Sequence, residues 1–374
     1  MTGRLRALGR WLAAEPVLCA VLVLTLAVGV YDPRPLSDWW RWAQPGSLAS
    51  LLALLAVAQG VRLSGYVQAF ARRMAARLST QRAIAAVLVS LAALTSMLLT
   101  NDISLFLLVP LTLALADMVH LPRQRLVIFE ALAVNTGSAL SPVGNPQNLL
   151  LWKQSGLSMP GFVAAMAPAV ALMALVLVLA TWFAFPAKPL LRHEQAPAHE
   201  ICRPRLGAIS ALALIAVLVL MECGLPYLAA LLAVVLYLLL ERRVLAQVDW
   251  ALLATIAGML LGLGHLAQVP MVTQALHRLD WSQALTTLLA GMGLSQVISN
   301  VPATVALKGV ASHTLWLAVA VNVGGFGLVV GSLANFIALR LEGSRAVWWK
   351  FHLWSLPFLA VVGGGVVAFV CLRS

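Results

Sequence analysis

Seven stretches of this chain are apolar almost end to end: residues 14–31, 47–66, 159–186, 207–222, 226–240, 250–266 and 347–371. A helix that crosses a bilayer needs about 20 largely apolar residues, with a range of about 17–25, so each run reads as a transmembrane helix. Two further runs, 123–152 and 314–339, are apolar but interrupted by Gly, Asn and Pro, and read as broken helices. Two more, 83–118 and 281–311, carry a polar tip at their middle, which predicts re-entrant hairpins that enter and leave by one face. The expected fold is an all-α polytopic membrane protein with nine crossings, two of them broken, plus two hairpins. Composition agrees. The 374 residues are 61% hydrophobic and 10% charged, whereas soluble domains hold about 45–50% apolar and about 25% charged residues. A soluble enzyme and a disordered chain are both excluded.

The net charge of +12 does not point to nucleic acid, because no basic stretch interleaves with aromatics to form a phosphate-binding face. The basic residues lie instead in short loops between apolar runs, where they set orientation. With the amino terminus inside, nineteen of the 25 Lys and Arg fall on the inner side. Five (Arg34, Arg41, Lys153, Arg278 and Arg373) fall outside, and Lys308 lies within the second hairpin. A wrong crossing count would scramble this asymmetry. It places the amino terminus in the cytoplasm and the carboxyl terminus outside. Trp39, Trp40 and Trp42 then sit at the outer boundary and Trp348 and Trp349 at the inner one, where interfacial belts favour Trp. Arg4, Arg6 and Arg10 ahead of the first run mimic a signal peptide. That run, however, ends in Val30-Tyr31-Asp32-Pro33 without a small-x-small cleavage site, so it counts as a crossing. Cys19, Cys202, Cys223 and Cys371 form no CxxC pair and read as packing residues.

The broken helices share a pattern. Asn135-Thr136-Gly137 leads to Gly144-Asn145-Pro146-Gln147-Asn148, and Asn322-Val323-Gly324-Gly325 leads to Gly331-Ser332-Leu333-Ala334-Asn335. Positions 135/322, 137/324, 144/331 and 148/335 all match at an offset of 187. Each broken helix follows a hairpin with a polar tip, Thr100-Asn101-Asp102 or Ser299-Asn300-Val301. Five crossings separate the hairpins, so the second copy runs upside down, as in many secondary transporters. The expected organisation is a first inverted repeat over 1–186, a cytoplasmic linker over 187–206 and a second repeat over 207–374. Small residues in membrane helices often only permit close packing, but four matches at one offset exceed that account.

Unpaired backbone amides cannot face lipid, since each costs several kcal/mol. Breaks at Gly137–Gly144 and Gly324–Gly331 are therefore tolerable only against protein or a wet cavity. There, half-helix amino termini offer partial positive charge to an anion, while freed carbonyls and Asn and Ser/Thr oxygens suit a small cation.

As a set, Leu99 through Asp102, Gly137 through Asn148, Ser299 through Pro302 and Gly324 through Asn335 resemble the ion-transporter superfamily that includes citrate and dicarboxylate symporters and the arsenite efflux permease. In size the chain is most similar to short bacterial inner-membrane members. The resemblance implies an inverted-repeat fold in which a transport domain moves against a scaffold. It implies that Asn101 and Asn300 sit at the hairpin tips and help bind substrate and coupling ion, and Thr100, Asp102 and Ser299 beside them in the tip motifs are further binding candidates. It implies further that Gly137, Asn145, Asn148, Gly324, Ser332 and Asn335 line the unwound segments, and Asn135 and Asn322, matched at the offset of 187, join them as binding candidates. Sodium-coupled members carry Ser-Asn-Thr at both tips, whereas here Asp102 and Val301 hold the third place and both hydroxyls are missing. Asn101-Asp102 is closer to the first tip of the arsenite permeases.

Asp102 and Glu130 are the proton-relay candidates. A carboxylate at the bilayer centre costs about 2.5–3.5 kcal/mol on insertion scales, so it is rarely idle; the alternative for Asp102 is a helix cap. Lys308 lies about 12 Å along a helix from Asn300 at 1.5 Å per residue, far enough to snorkel to the interface. His193-Glu194-Gln195-Ala196-Pro197-Ala198-His199 spaces its histidines six apart around a Pro, which does not suit zinc.

The expected function is secondary active transport of a small anionic solute, a di- or tricarboxylate or an inorganic oxyanion, across the bacterial inner membrane. A proton or sodium gradient drives it by alternating access, with no cofactor, metal or enzymatic step. The expected partners are that solute and the lipid bilayer, with a homodimer as a further one, and no nucleic acid. Arsenite or antimonite efflux is the rival, followed by sodium/proton antiport and by an ion channel.

Overall fold

The computed structural model describes residues 15–191 and 202–372, and every regular element in them is helical. The amino-terminal arginines, the His193–His199 segment and Arg373 lie outside the described residues. The helices gather into two compact units. One runs up to Leu63 and resumes over Ala208–Ala275; the other comprises Ser64–Gly207 and the chain from Leu276. Each unit draws on both halves of the sequence.

The first unit contains α1 (Pro16–Tyr31), α2 (Leu36–Ala43), α3 (Pro45–Leu63), most of α10 (Pro204–Glu222), α11 (Pro226–Leu240), α12 (Arg242–Ala246), α13 (Trp250–Leu266) and the start of α14 (Pro270–His277). Gly258 and Gly262 let α13 approach α1. A Cβ at Gly262 would lie 2.6 Å from the Thr25 hydroxyl, which reaches the Gly258 carbonyl at 3.3 Å. On the α2 side, the fully buried His265 ring stacks on Trp42 at 4.3 Å and meets Trp39 edge-on at 5.5 Å. Two of the three tryptophans expected in the interfacial belt are thus packed against a buried histidine. The Arg34 guanidinium, hydrogen-bonded to Asp32 at 2.8 Å, holds the Asp32 carboxyl below its usual pKa.

The second unit contains α4 (Tyr66–Arg77), α5 (Gln81–Leu98), α6 (Asn101–Ala116), α7 (Arg123–Ser138), α8 (Pro146–Ser155), α9 (Met159–Ala184), α15 (Ala284–Ile298), α16 (Asn300–Leu307), α17 (Thr314–Val323), α18 (Leu333–Glu342) and α19 (Arg345–Cys371). Its centre is α7, in which every residue from Leu126 to Ser138 is buried. Helices apolar on all sides belong in a core, and α17 is likewise buried from Leu317 to Val323. The expected hairpins are the pairs α5/α6 and α15/α16, and the expected broken helices are α7/α8 and α17/α18.

Among the described residues five helices, one of them α2 continued by α3, are long and apolar enough to cross a membrane unaided, and a sixth if α13 and α14, bent by 54°, form one span. Several others are shorter apolar helices. The chain is a multi-pass, all-helical membrane protein. Hydropathy did not anticipate α2, α4, α12 and α14, which are short and partly polar. In α4, for example, Arg72, Arg73 and Arg77 share a helix whose buried face is Ala71 and Met74.

Candidate functional site

Both broken helices restart with a side-chain cap. Asn145 accepts the Asn148 N–H at 2.9 Å to open α8, and Ser332 accepts the Ala334 N–H at 3.3 Å to open α18. The carbonyls freed by the first break are collected by the Asn148 amide, which reaches Ser138, Ala139 and Ser141 at 2.9–3.2 Å. Asn335 does the same for the second, reaching Gly325 at 2.8 Å and Leu328 at 3.5 Å. Ser138 and Gly325 are 187 residues apart, as are Ser141 and Leu328, so the side-chain bonds repeat the offset of the sequence motif.

The two breaks are also tied to each other. Asn135 donates to the Asn335 side-chain carbonyl at 2.8 Å, and Asn322 donates to that of Asn148 at 2.6 Å. Ser332 donates to Asn135 Oδ1 at 3.1 Å, and Asn145 to Asn322 Oδ1 at 2.9 Å. Exchanging residues by the offset of 187 converts each bond of a pair into the other. All six side chains are buried, and such groups must be paired because an unsatisfied one costs about 1–3 kcal/mol. Gly137 and Gly324 permit the close approach beneath this network. A Cβ on Gly137 would clash with the Ala93 carbonyl, and one on Gly324 would lie 2.6 Å from Ser295 Cβ.

The hairpin tips differ. At the first, Thr100 is extended and caps α6, accepting the Ile103 N–H at 3.4 Å. Asn101 N–H donates to the Gly144 carbonyl at 3.0 Å, and Asp102 N–H to Asn101 Oδ1 at 3.0 Å. The first-turn amides of α6 are therefore all paired, and the Asp102 carboxylate, half-buried, accepts none of them. The capping alternative for Asp102 is taken by Thr100. At the second tip Ser299 has φ 72 and ψ 155, a conformation nearly restricted to Gly, and caps nothing. Asn300 and Val301 N–H make no hydrogen bond among the described residues, and Pro302 has no N–H to offer. The Asn300 side chain accepts from the Ser299 hydroxyl at 3.5 Å, and its NH2, like that of Asn101, has no partner there.

Of the other charged candidates, Glu130 is fully buried on α7 and hydrogen-bonded to Thr112 of α6, while its second oxygen has no partner among the described residues. Lys308 is exposed, and only its backbone carbonyl is engaged, by Gln154 at 2.8 Å. Among the described residues no three His, Cys, Asp or Glu converge on a common point. One residue that sequence reasoning missed is Gln296, which clamps the second break. Its NH2 reaches the Gly324 and Phe326 carbonyls at 2.6 and 2.9 Å, and its Oε1 accepts the Leu328 N–H at 2.8 Å. The available signal was a lone amide in an apolar helix, four residues before Asn300.

Residues 7–315 match the sequence profile of the family described as Citrate transporter. The chain belongs to the citrate transporter family. Across nearly the whole length, 358 residues are 40% identical to the Inner membrane protein YbiR of Escherichia coli (strain K12), covering 95% of this chain and 96% of that one. The Uncharacterized transporter MJ0456 of Methanocaldococcus jannaschii is 28% identical over 336 residues, 88% of this chain and 90% of its own. A shorter match, 31% over 122 residues, covers 33% of this chain and 25% of the Silicon efflux transporter LSI3 of Oryza sativa subsp. japonica. This member of the citrate transporter family is a membrane transporter and not an enzyme.

Proposed function

We propose that the chain is a secondary active transporter for a small anionic solute, working by alternating access in the bacterial inner membrane and driven by protons through Asp102. The observation that carries this reading is the inequality of the tips. The second offers three unpaired donors, the Asn300 and Val301 N–H groups and the Asn300 NH2, at the positive end of a helix, which suits an oxyanion or carboxylate. The first has its backbone donors filled and carries a carboxylate instead, which suits a proton or small cation. In this reading the asparagine network holds the two breaks in place, and the tips hold the ligands. The name of the family supports a carboxylate as solute, and that of the Escherichia coli relative supports the inner membrane. The exchange symmetry of the Asn135–Asn335 and Asn322–Asn148 bonds supports two inverted repeats. Nine crossings, counted from the apolar runs, with the amino terminus inside and the carboxyl terminus outside, agree with the Lys and Arg distribution.

The test is the transient current of purified protein in proteoliposomes on a solid-supported membrane, with citrate, dicarboxylates and inorganic oxyanions added in turn across pH, with and without sodium. A pH-dependent, sodium-independent current that Asn300→Ala abolishes is the expected result. A current that requires sodium would overturn proton coupling, and a normal current in Asn300→Ala would overturn the anion site. Efflux of an uncharged inorganic hydroxide is the second reading, favoured by the Asn101-Asp102 tip and by the likeness of a third of the chain to a silicon efflux transporter. Counterflow of arsenite or silicic acid, which needs no current, distinguishes it.

A further inference from the structure

Five helix ends of the second unit meet at one edge: the starts of α5, α7 and α19 and the ends of α6 and α9. Two cavities open there, of about 620 Å³ and about 500 Å³, and both are lined by the turn from Leu121 to Arg123 and by Arg125. The first adds Lys350 and the second Lys188. Among the described residues no acidic side chain lines the first cavity and only Asp117 lines the second, while Arg123 is already paired with Glu342 at 2.8 Å. Arg125, Lys188 and Lys350 are thus positive charges with no carboxylate partner among the described residues.

These groups are held in place. The Arg125 guanidinium lies 5.6 Å from the Trp354 ring and 6.0 Å from Phe185, and donates once, to the Ala184 carbonyl at 2.7 Å. Most of its five N–H donors remain for an anion, in a planar fork that matches phosphate. Lys350 Nζ is drawn toward the same place by Gln124 Oε1 at 2.7 Å, and Gln124 is fixed in turn by Ser344 at 2.7 Å. One wall is apolar: Ile128, Leu353 and Trp354. It continues along α19 into a strongly exposed apolar face, with Trp349 71% and Leu353 57% exposed. In a membrane protein that face meets acyl chains, and Trp349 and Trp354 mark the level of the headgroups.

A basic hollow at the headgroup level, with a lipid-facing apolar wall, has the chemistry of one kind of ligand. We propose that this hollow binds an anionic phospholipid of the surrounding bilayer, with the phosphate held between Arg125 and Lys350 and an acyl chain lying along Ile128, Leu353 and Trp354. The site is separate from the tips and the asparagine network. Its positive charge would be partly idle without such a ligand, because orienting the protein requires basic residues but not a shaped, apolar-walled cavity around them.

Native mass spectrometry of the full chain in detergent tests this. Phosphatidylglycerol, phosphatidylethanolamine of matched chains and inorganic phosphate are titrated separately. Phosphatidylglycerol adducts are expected to survive collisional activation that strips phosphatidylethanolamine. Arg125→Gln with Lys350→Gln should lower phosphatidylglycerol affinity about thirtyfold, since each of the two basic residues near the surface contributes about 1 kcal/mol. Equal retention of the two lipids by the unaltered protein overturns the proposal and needs no variant. So does unchanged phosphatidylglycerol affinity in the double variant or in Lys350→Gln alone, an exposed position where folding is not at issue. Displacement of phosphatidylglycerol by millimolar inorganic phosphate would instead assign the hollow to a soluble anion, and would equally overturn the lipid.

Discussion

Ser299 holds a backbone conformation that L side chains avoid, at a cost of about 1–3 kcal/mol. A glycine there would relieve that strain and lose about 0.5–1 kcal/mol to added freedom in the unfolded chain. The relief is the larger quantity, so Ser299→Gly is expected to raise the thermal midpoint in detergent by on the order of a few degrees; an unchanged or lower midpoint would show that the neighbours do not impose the strain. Transport should fall in the same variant, because the amides of Asn300 and Val301 lose their fixed direction. Asp102 makes a different kind of prediction. Asp102→Asn keeps the shape and removes the titrating group, so transport should lose its pH dependence while solute affinity persists, read from initial rates across pH. The identities of these two residues were plain in the sequence, but their unequal roles were not. Thr100 and Ser299 look interchangeable as letters, and only backbone angles show that one caps its helix and the other is strained.

At the scale of the elements, the offset of 187 announced both breaks, since Gly and Asn are the residues that an interrupted membrane helix needs. What the offset could not announce was that the asparagines bond across from one break to the other, because hydrogen-bond partners 174–200 residues apart leave no local pattern. The exchange predicts matched energetics. Asn135→Ala and Asn322→Ala should destabilise by similar amounts, about 1–3 kcal/mol for each group left unpaired. The Asn135/Asn335 and Asn322/Asn148 double-mutant cycles should give couplings of about 0.5–3 kcal/mol. Additive losses in both cycles would mean that the bonds do not hold the breaks. Glycines divide in the same way. Gly137→Ala presses a methyl on the Ala93 carbonyl and should cost about 1–3 kcal/mol or more, whereas Gly364 on α19 has nothing within 4 Å of an added Cβ and Gly364→Ala should gain about 0.5–1 kcal/mol. Folded yield after size exclusion ranks the pair. The amphipathic helices α2, α4, α12 and α14 were illegible for a physical reason: a hydropathy threshold detects what lipid demands of a helix, not what a protein neighbour does.

Over the whole molecule, the compact units cut across the halves of the sequence, because α10 to α13 pack with α1 to α3 while the hairpins and broken helices of both halves join. Contiguity along the chain carries no trace of that regrouping. Orientation, by contrast, rests on charge alone and is testable with the native thiols. In single-cysteine forms, a membrane-impermeant maleimide should label exposed Cys223 in intact cells and Cys202 only in inverted vesicles. The reverse pattern would turn the topology over. The hairpins themselves are lopsided. The leg that follows Asn101 has 16 residues, about 24 Å of helix, and the leg that follows Asn300 has 8, about 12 Å. The chain returns to a surface turn twice as soon behind the second tip as behind the first, so solvent reaching along that leg has half the distance to cover. Deuterium should therefore enter the Asn300 and Val301 amides well before that of Asn101, which makes the second tip the leakier of the two.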